Sequence, residues 1–504
     1  MSTTPASFLH RALLGGIMLA VSCVGYAEDA PSFSIVVKPL VTDGKVTALE
    51  VRQTLSGDLP AEGRPLVLRA PLGLFGVKSI ADQISGLQVT DAEGKVALAV
   101  SDDPTQAGPV FGMRRWRALR KAVMPVSVQY RIATQPAGEG GPPYGMKSSG
   151  AGVAGRGSGF LVLPENTTSR FTRFAWDLSA LPPGSQGVIT AGAGETIVPG
   201  PPSEVATQWM LAGPARVFNS ARSPRFHIYL LGVQPFDAAS MIDWADRGYA
   251  TLARTMKYLG APEYRLFFRA LDVPSYATGT GREAGGGALM TAGNTLGKQS
   301  VDDVKTTVFH EMAHQWVGDL SGAGVWFVEG LTTYLTAVLP CQYGMAESAF
   351  CANGINNHAA DYYRSKARNW SLARIDAAGS NEESVRRVPY GRGMLYFGLV
   401  NTQLLEKSGG RRTVLDMLAP MFAARTHGVR LDEAAWEAAL VQELGQSAVN
   451  DFRAYILDGS KTLVPPSGAF GACLTRKSIR METDRQGEKV DGYEWQPISG
   501  CHPG

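Results

Sequence analysis

From Ser32 to about Gly200 apolar and polar residues alternate in short runs separated by turn residues. "FSIVVKPL", "KVTALEVRQTL", "RPLVLRAPL", "VSVQYRIAT" and "TRFAWDLSAL" are the clearest. A period of two puts one face of each run in a core and the other in water, as in half-buried antiparallel strands. Strands at this spacing predict a β-sandwich. The glycine-rich stretch 137–159 lacks the spacing of a phosphate loop and is read as a flexible surface connection. Near Phe236 the period changes. "DAASMIDWADRGYATLARTMKYLG" repeats as a helix and stops at Gly260-Ala261-Pro262. A strand, "EYRLFFRALD", and the glycine-rich "TGTGREAGGGALMTAGN" follow. Helices are then expected over 301–319, 326–339, 390–407, 411–424 and 431–457. The last forty or so residues are polar and read as an appended tail.

These changes of pattern divide the chain into 1–27, 28–235 (the β-sandwich), 236–462 (mainly helical) and 463–504. A length of 504 residues agrees with more than one domain. Hydrophobic content of 44% and charge of 18% describe an ordinary globular protein. A net charge of +3 selects no partner. The cluster Arg114, Arg115, Arg117, Arg120 and Lys121 has no aromatic ladder beside it and is read as a solvated face, so nucleic acid is not expected.

The N-terminus carries Arg11, the apolar run "ALLGGIMLAVSCVGYA", and small residues Gly25 and Ala27 about Tyr26. That is the pattern of an export signal cleaved after Ala27, leaving a periplasmic or secreted chain. The run is short for a membrane span, and a lipid anchor at Cys23 is the minor alternative. Cys341, Cys351, Cys473 and Cys501 remain after cleavage. In an oxidising compartment the sequence-local pairing, 341–351 with 473–501, is the simplest.

Only 7 residues are histidine, yet "VFHEMAHQW" places His310 and His314 four apart with Glu311 between them. On a helix opened by Ser300 and Asp303 as a capping box, both imidazoles lie on one face and can reach one metal ion. Glu311 is set about 100° round the helix from His310, where it can hold a water without ligating. A catalytic zinc takes three protein ligands and keeps one position open. Glu329, on the next helix "VWFVEGLTTYLTAV", is the third candidate, and Glu347 the runner-up. His227, His358 and His427 are read as strand, polar-stretch and loop residues without a role in the site.

"VFHEMAHQWVGD" followed by "WFVEGLTTYL" resembles the gluzincin metallopeptidases, whose Glu-Gly supplies the third zinc ligand. "HQWVGD" is similar to the aminopeptidase N and leukotriene A4 hydrolase-like family. "WFVEGLTTYL" and the β-rich half look closer to the glycyl aminopeptidase family. The resemblance implies a multidomain α+β chain in which an antiparallel β-sandwich precedes a thermolysin-like, mainly helical zinc domain. It implies peptide or protein substrates and Zn2+ held by His310, His314 and Glu329. In "VPYGRGMLYFGL" it also implies that Tyr390 donates to the oxyanion, with Gly393 as the motif glycine. These families bind the substrate amine through a glutamate on a glycine-rich strand upstream of the zinc motif. The corresponding stretch here is read as "GGGALM": Gly285, Gly286, Gly287, Ala288 and Leu289 are the candidate substrate-binding residues. Leu289 falls where the amine-binding glutamate is expected, and Glu283 is near but out of register. The expectation is therefore an aminopeptidase-like enzyme with altered recognition of the N-terminus. The alternatives are an endopeptidase or other amide hydrolase, or a non-catalytic zinc-containing binding protein.

Overall fold

The computed structural model describes residues 32–56, 65–74, 77–103, 112–138, 143–165, 167, 169–281, 285–322, 324–379, 382–484 and 488–501. The expected export signal, Cys23 and Glu283 lie outside the described residues.

The alternating runs do form strands. In Val126–Ala133 inward and outward residues alternate without exception, and Val126, Val128, Tyr130 and Ile132 enter the core. The β-rich region differs from a two-sheet sandwich in having three sheets among the described residues, of seven, five and four strands. The pairing is antiparallel except between Ser32–Thr42 and Phe171–Trp176, which run parallel. The stretch at 137–159 corrects another expectation. Lys147–Ser149 and Gly152–Arg156 are paired, largely buried strands. A β-carbon on Gly155 would fall 2.6 Å from the Gly145 carbonyl oxygen, so glycine is needed there for close backbone approach. In the basic cluster Arg114, Arg115 and Arg117 lie on strand Met113–Ala118 and Arg120 and Lys121 follow it; Arg114, Arg115 and Arg120 are half-buried. Arg114 pairs with Asp82 and Asp102, Arg115 with Glu165 and Asp103, and Arg120 with Asp91.

A fourth sheet, of mixed pairing, follows in the order Arg216–Asn219, Phe226–Leu231, Tyr264–Ala270, Gly287–Ala292, Thr278–Thr280. Its three central strands are parallel and its two edges antiparallel. It starts at Arg216, ahead of the change of pattern at Phe236, because Phe226–Leu231 pairs with Tyr264–Ala270 and not with the earlier sheets. One face of this sheet joins the core of the β-rich region through Tyr229, Leu231, Phe267 and Leu289. The opposite face (Phe226, Ile228, Leu266, Ala288, Met290) packs against helices. Strands buried on both faces lose the period-of-two signal, and every residue of Tyr264–Ala270 is buried, Arg265 and Arg269 included.

Helix Ala238–Thr255 is capped by Asp237, whose carboxylate accepts from the Ser240 amide at 2.6 Å. It packs on the motif helix, Val301–Ala313, where Gly248 makes room for Met312 and Phe309. The expected 301–319 helix is shorter than its pattern. His314 is its C-cap, and the residues after it leave the helical path. Trp326–Gln342, Val388–Ser408 and Val414–Thr426 match expectation within a few residues. The 431–457 segment divides at Gly445 into Glu433–Leu444 and Gln446–Phe452, with a π-turn after it. Helix Ser348–Arg364 is one the periodicity does not reveal: Asn and Gly residues mask its apolar face of Cys351, Ala352, Ile355, Ala359, Tyr362 and Tyr363.

The C-terminal segment is an integrated element of the fold. Leu474–Glu482 and Lys489–Pro497 form a hairpin. Asn356 on helix Ser348–Arg364 accepts from the Trp495 amide at 2.7 Å and donates to its carbonyl at 2.9 Å. Disulfides join Cys341 to Cys351 and Cys473 to Cys501, the sequence-local pairing. Among the described residues no helix is long and apolar enough to cross a membrane.

Candidate metal centre and active site

The capping box forms: Ser300 Oγ accepts from the Asp303 amide, and Asp303 accepts in turn from the Ser300 amide at 2.8 Å. Val304, Val308, Phe309 and Met312 fix the helix to the core, which turns His310 and His314 toward helix Trp326–Gln342. Glu329 lies in the first turn of that helix. His310 Nε2 is 3.2 Å from His314 Nε2 and 3.3 Å from Glu329 Oε2, and His314 Nε2 is 3.5 Å from the same oxygen. Among the described residues these three form the one group that could hold a metal ion. Glu347 stands apart, at the start of helix Ser348–Arg364.

The donor set tests whether a metal fits. A tetrahedral zinc with bonds of about 2.0–2.1 Å has ligand atoms separated by about 3.3–3.4 Å. The observed triangle has edges close to those. Two imidazole nitrogens facing each other at 3.2 Å set lone pair against lone pair unless a cation or proton lies between them. The arrangement therefore suits a cation held by all three residues.

Burial pushes the pKa of the Glu329 carboxyl up. The adjacent imidazoles of His314 and His310 outweigh it and hold the group well below the usual carboxylate range. The His314 imidazole is pulled down by burial, but the Glu329 charge raises it on balance. Glu311 is pushed up by burial, with the two imidazoles opposing. Its Oε2 accepts from the Gly281 amide at 2.6 Å, and its backbone carbonyl accepts from the Tyr264 hydroxyl at 3.2 Å. Glu311 is thus held from both sides.

Tyr390 lies in the first turn of helix Val388–Ser408, with its ring 6.3 Å from that of His310 and nearly parallel to it. Burial, and then the Glu329 charge, push its hydroxyl well above the usual phenol range, so it stays a neutral donor. His358 also stacks on Tyr390, 6.4 Å away and parallel to it within 7°. Burial and the proximity of His310 push His358 down to about 3. The sequence assigns His358 no role because the apolar pattern of its helix is masked. His227, bonded to Asn219 at 2.8 Å, and His427, at the end of Val414–Thr426, lie outside the cluster.

The glycine-rich region requires a correction. "GGGALM" is expected to line the cleft, but Gly287–Ala292 is one strand in from the edge. Gly285 and Gly286 are half-buried, and the Gly286 amide donates to Gln315 at 2.9 Å. Gly287 is wedged against the Arg265 backbone. Ala288 and Leu289 are fully buried, Leu289 within the core of the β-rich region. The strand beside Glu311 is Thr278–Thr280, in the "TGTG" that precedes it. A β-carbon on Gly279 would stand 2.7 Å from Glu311 Cγ, and one on Gly281 would collide with the Glu311 carbonyl. Thr280 also meets the β-rich region, its hydroxyl 3.3 Å from that of Tyr144. Tyr144 packs on Trp209, and the Arg156 guanidinium lies 5.1 Å from both rings. Period-of-two reasoning cannot see that contact, since it joins residues far apart in sequence.

No protein-family model and no curated protein matches the chain. Solved structures do. An aminopeptidase N family protein from Idiomarina loihiensis superposes with a TM-score of 0.65 at 12% identity, over 88% of this chain and 79% of that one. An M1 zinc metallopeptidase from Deinococcus radiodurans gives 0.48 at 16% identity, over 87% and 96%. Leukotriene A4 hydrolase from Saccharomyces cerevisiae gives 0.46 at 14%, over 87% and 68%. The first establishes the fold: a mixed α+β architecture with a sheet-rich N-terminal region and a helical C-terminal region, like that of the aminopeptidase N family protein.

Proposed function

We propose that this is an exported zinc metallopeptidase of aminopeptidase type, hydrolysing peptide bonds. His310, His314 and Glu329 hold the metal, Glu311 is the general base, and Tyr390 is the oxyanion donor. The mutual 3.2–3.5 Å spacing of the three ligand atoms carries this reading. Zinc held there supplies a Lewis acid for the scissile carbonyl and lowers the pKa of water. Glu311 takes a proton from the attacking water and returns it to the leaving amine, a task suited to a carboxylate raised toward neutrality by burial. Tyr390 keeps its proton and donates to the negative charge that develops in the transition state. The finer assignment to glycyl aminopeptidases rests on "WFVEGLTTYL" and the β-rich half alone.

Altered recognition of the N-terminus depends on Leu289 standing in the amine-binding place. Leu289 lies in the core and faces no substrate, which favours an aminopeptidase with ordinary recognition of the free N-terminus. Paired peptides with free and N-acetylated ends test it. An aminopeptidase cleaves the free set and rejects the blocked set. Equal cleavage of both would establish the endopeptidase alternative, and no zinc-dependent turnover on a broad library would establish the binding protein. Export is tested by N-terminal sequencing of the mature protein, expected to begin after Ala27.

A further inference from the structure

Thr332 lies three residues beyond Glu329 on helix Trp326–Gln342 and is completely buried. Its hydroxyl oxygen is 2.6 Å from the Val328 carbonyl oxygen and 3.4 Å from His314 Nδ1. A hydroxyl has one proton to donate and lone pairs with which to accept. The short contact to the carbonyl, which can only accept, takes that proton. Toward His314 the oxygen can then only accept, so Nδ1 must carry the hydrogen. A neutral imidazole protonated at Nδ1 has its lone pair on Nε2. That is the atom facing His310 Nε2 and Glu329 Oε2.

Resting on the metal-site reading above, we infer that Thr332 is a positioning residue: it holds His314 in the Nδ1–H tautomer and aims Nε2 at the metal. One helix then does two things, giving Glu329 as a ligand and orienting a second ligand from the helix before it. Valine is nearly isosteric with threonine but cannot accept a hydrogen bond. Serine keeps the oxygen and loses only a methyl group.

The test uses the full chain and measures zinc affinity by competition with a chromogenic chelator. Thr332→Val is expected to weaken zinc about 10–100-fold, the usual effect of removing a partner of a metal-ligating histidine. Thr332→Ser should stay within a few-fold of the parent. A Thr332→Val protein with parental affinity, or a Thr332→Ser protein as weak as the valine variant, overturns the inference. The tautomer needs no variant. In zinc-free protein labelled with 15N-histidine, at a pH where His314 is neutral, the expected form is Nδ1–H, and Nε2–H overturns it. A parent chain that binds no zinc overturns the metal site itself. Normal parental binding with an insensitive position 332 overturns only the role of Thr332.

Discussion

Gly330 and Gly393 lie back to back where helix Trp326–Gln342 crosses helix Val388–Ser408. A β-carbon on Gly330 would stand 2.5 Å from the Gly393 Cα, and one on Gly393 would stand 2.6 Å from the Gly330 Cα and the Trp326 carbonyl oxygen. Each glycine closely follows a candidate site residue: Gly330 comes after Glu329, and Gly393 is one turn beyond Tyr390. The contact gives both glycines a physical reason, because it brings Glu329 and Tyr390 together. Gly393→Ala must push a pair of helix backbones apart, not move a flexible side chain. Overpacking of this kind costs about 1–3 kcal/mol. Thermal unfolding should shift down, and turnover should fall because Tyr390 moves away from Glu329. A Gly393→Ala protein with parental melting temperature and activity would show that the helices separate freely.

How much of the fold and site is legible in the sequence depends on whether the physics is local. His310, Glu311 and His314 share a helix, so spacing alone sets their relation. Glu329 is reachable because a short connection brings the next helix back. Tyr390 comes from resemblance; by its own chemistry it reads as a core tyrosine. His358 is hidden because Asn and Gly residues break the apolar pattern of Ser348–Arg364, whose stability comes from packing on helix Val388–Ser408 and the C-terminal hairpin. The edge strand is misplaced for another reason. Both "TGTG" and "GGGALM" carry glycines, and only sheet order distinguishes the strand beside Glu311 from its inner neighbour.

Metal dependence has a direct readout. Dialysis against a chelator should abolish hydrolysis, and stoichiometric zinc should restore it. Zinc should also raise the melting temperature of the metal-free protein, since a ligand that binds only the folded state stabilises it by mass action. His314→Ala and Glu329→Ala should lose both effects. A thermal shift that persists in both variants would place the metal elsewhere.

Glu311→Gln separates binding from chemistry. Zinc content should be retained while kcat falls by about 10²–10⁴, the usual contribution of a general base. The same variant has a signature in stability. Burial raises the Glu311 pKa in the folded metal-free protein, so the folded state binds a proton more readily than the unfolded chain. Its contribution is then full below the unfolded carboxylate pKa and is lost as pH rises through the raised folded value. Glu311→Gln should therefore gain melting temperature over the parent at neutral pH, with the advantage vanishing as the pH falls to about 4, near the ordinary glutamate pKa. An advantage independent of pH would mean that burial does not burden this carboxylate.

Tyr390→Phe removes one donor and leaves the ring. A lost oxyanion donor costs about 10²–10³ in kcat with little change in KM. Because the phenol is held well above its ordinary range, the parent should show no loss of activity from Tyr390 ionisation around pH 10, where a free phenol titrates. A fall in kcat/KM carried wholly by KM would instead make Tyr390 a binding residue.

Leu289 and Gly281 give opposite expectations that test the reassigned edge strand. Leu289 is fully buried in the core that joins the mixed sheet to the β-rich region, so Leu289→Ala leaves a cavity and should cost about 2–5 kcal/mol. Its KM for small peptides should be unchanged in folded protein. Gly281 holds Glu311: its amide donates to the carboxylate at 2.6 Å, and an added β-carbon would collide with the Glu311 carbonyl. Gly281→Ala should therefore cut kcat while zinc affinity stays near the parental value. If Leu289→Ala altered peptide recognition and Gly281→Ala left turnover intact, the cleft would run along Gly287–Ala292 after all. If the two results fall as expected, the strand that holds the base is the "TGTG" edge, and recognition of the substrate amine is to be sought next to Gly281.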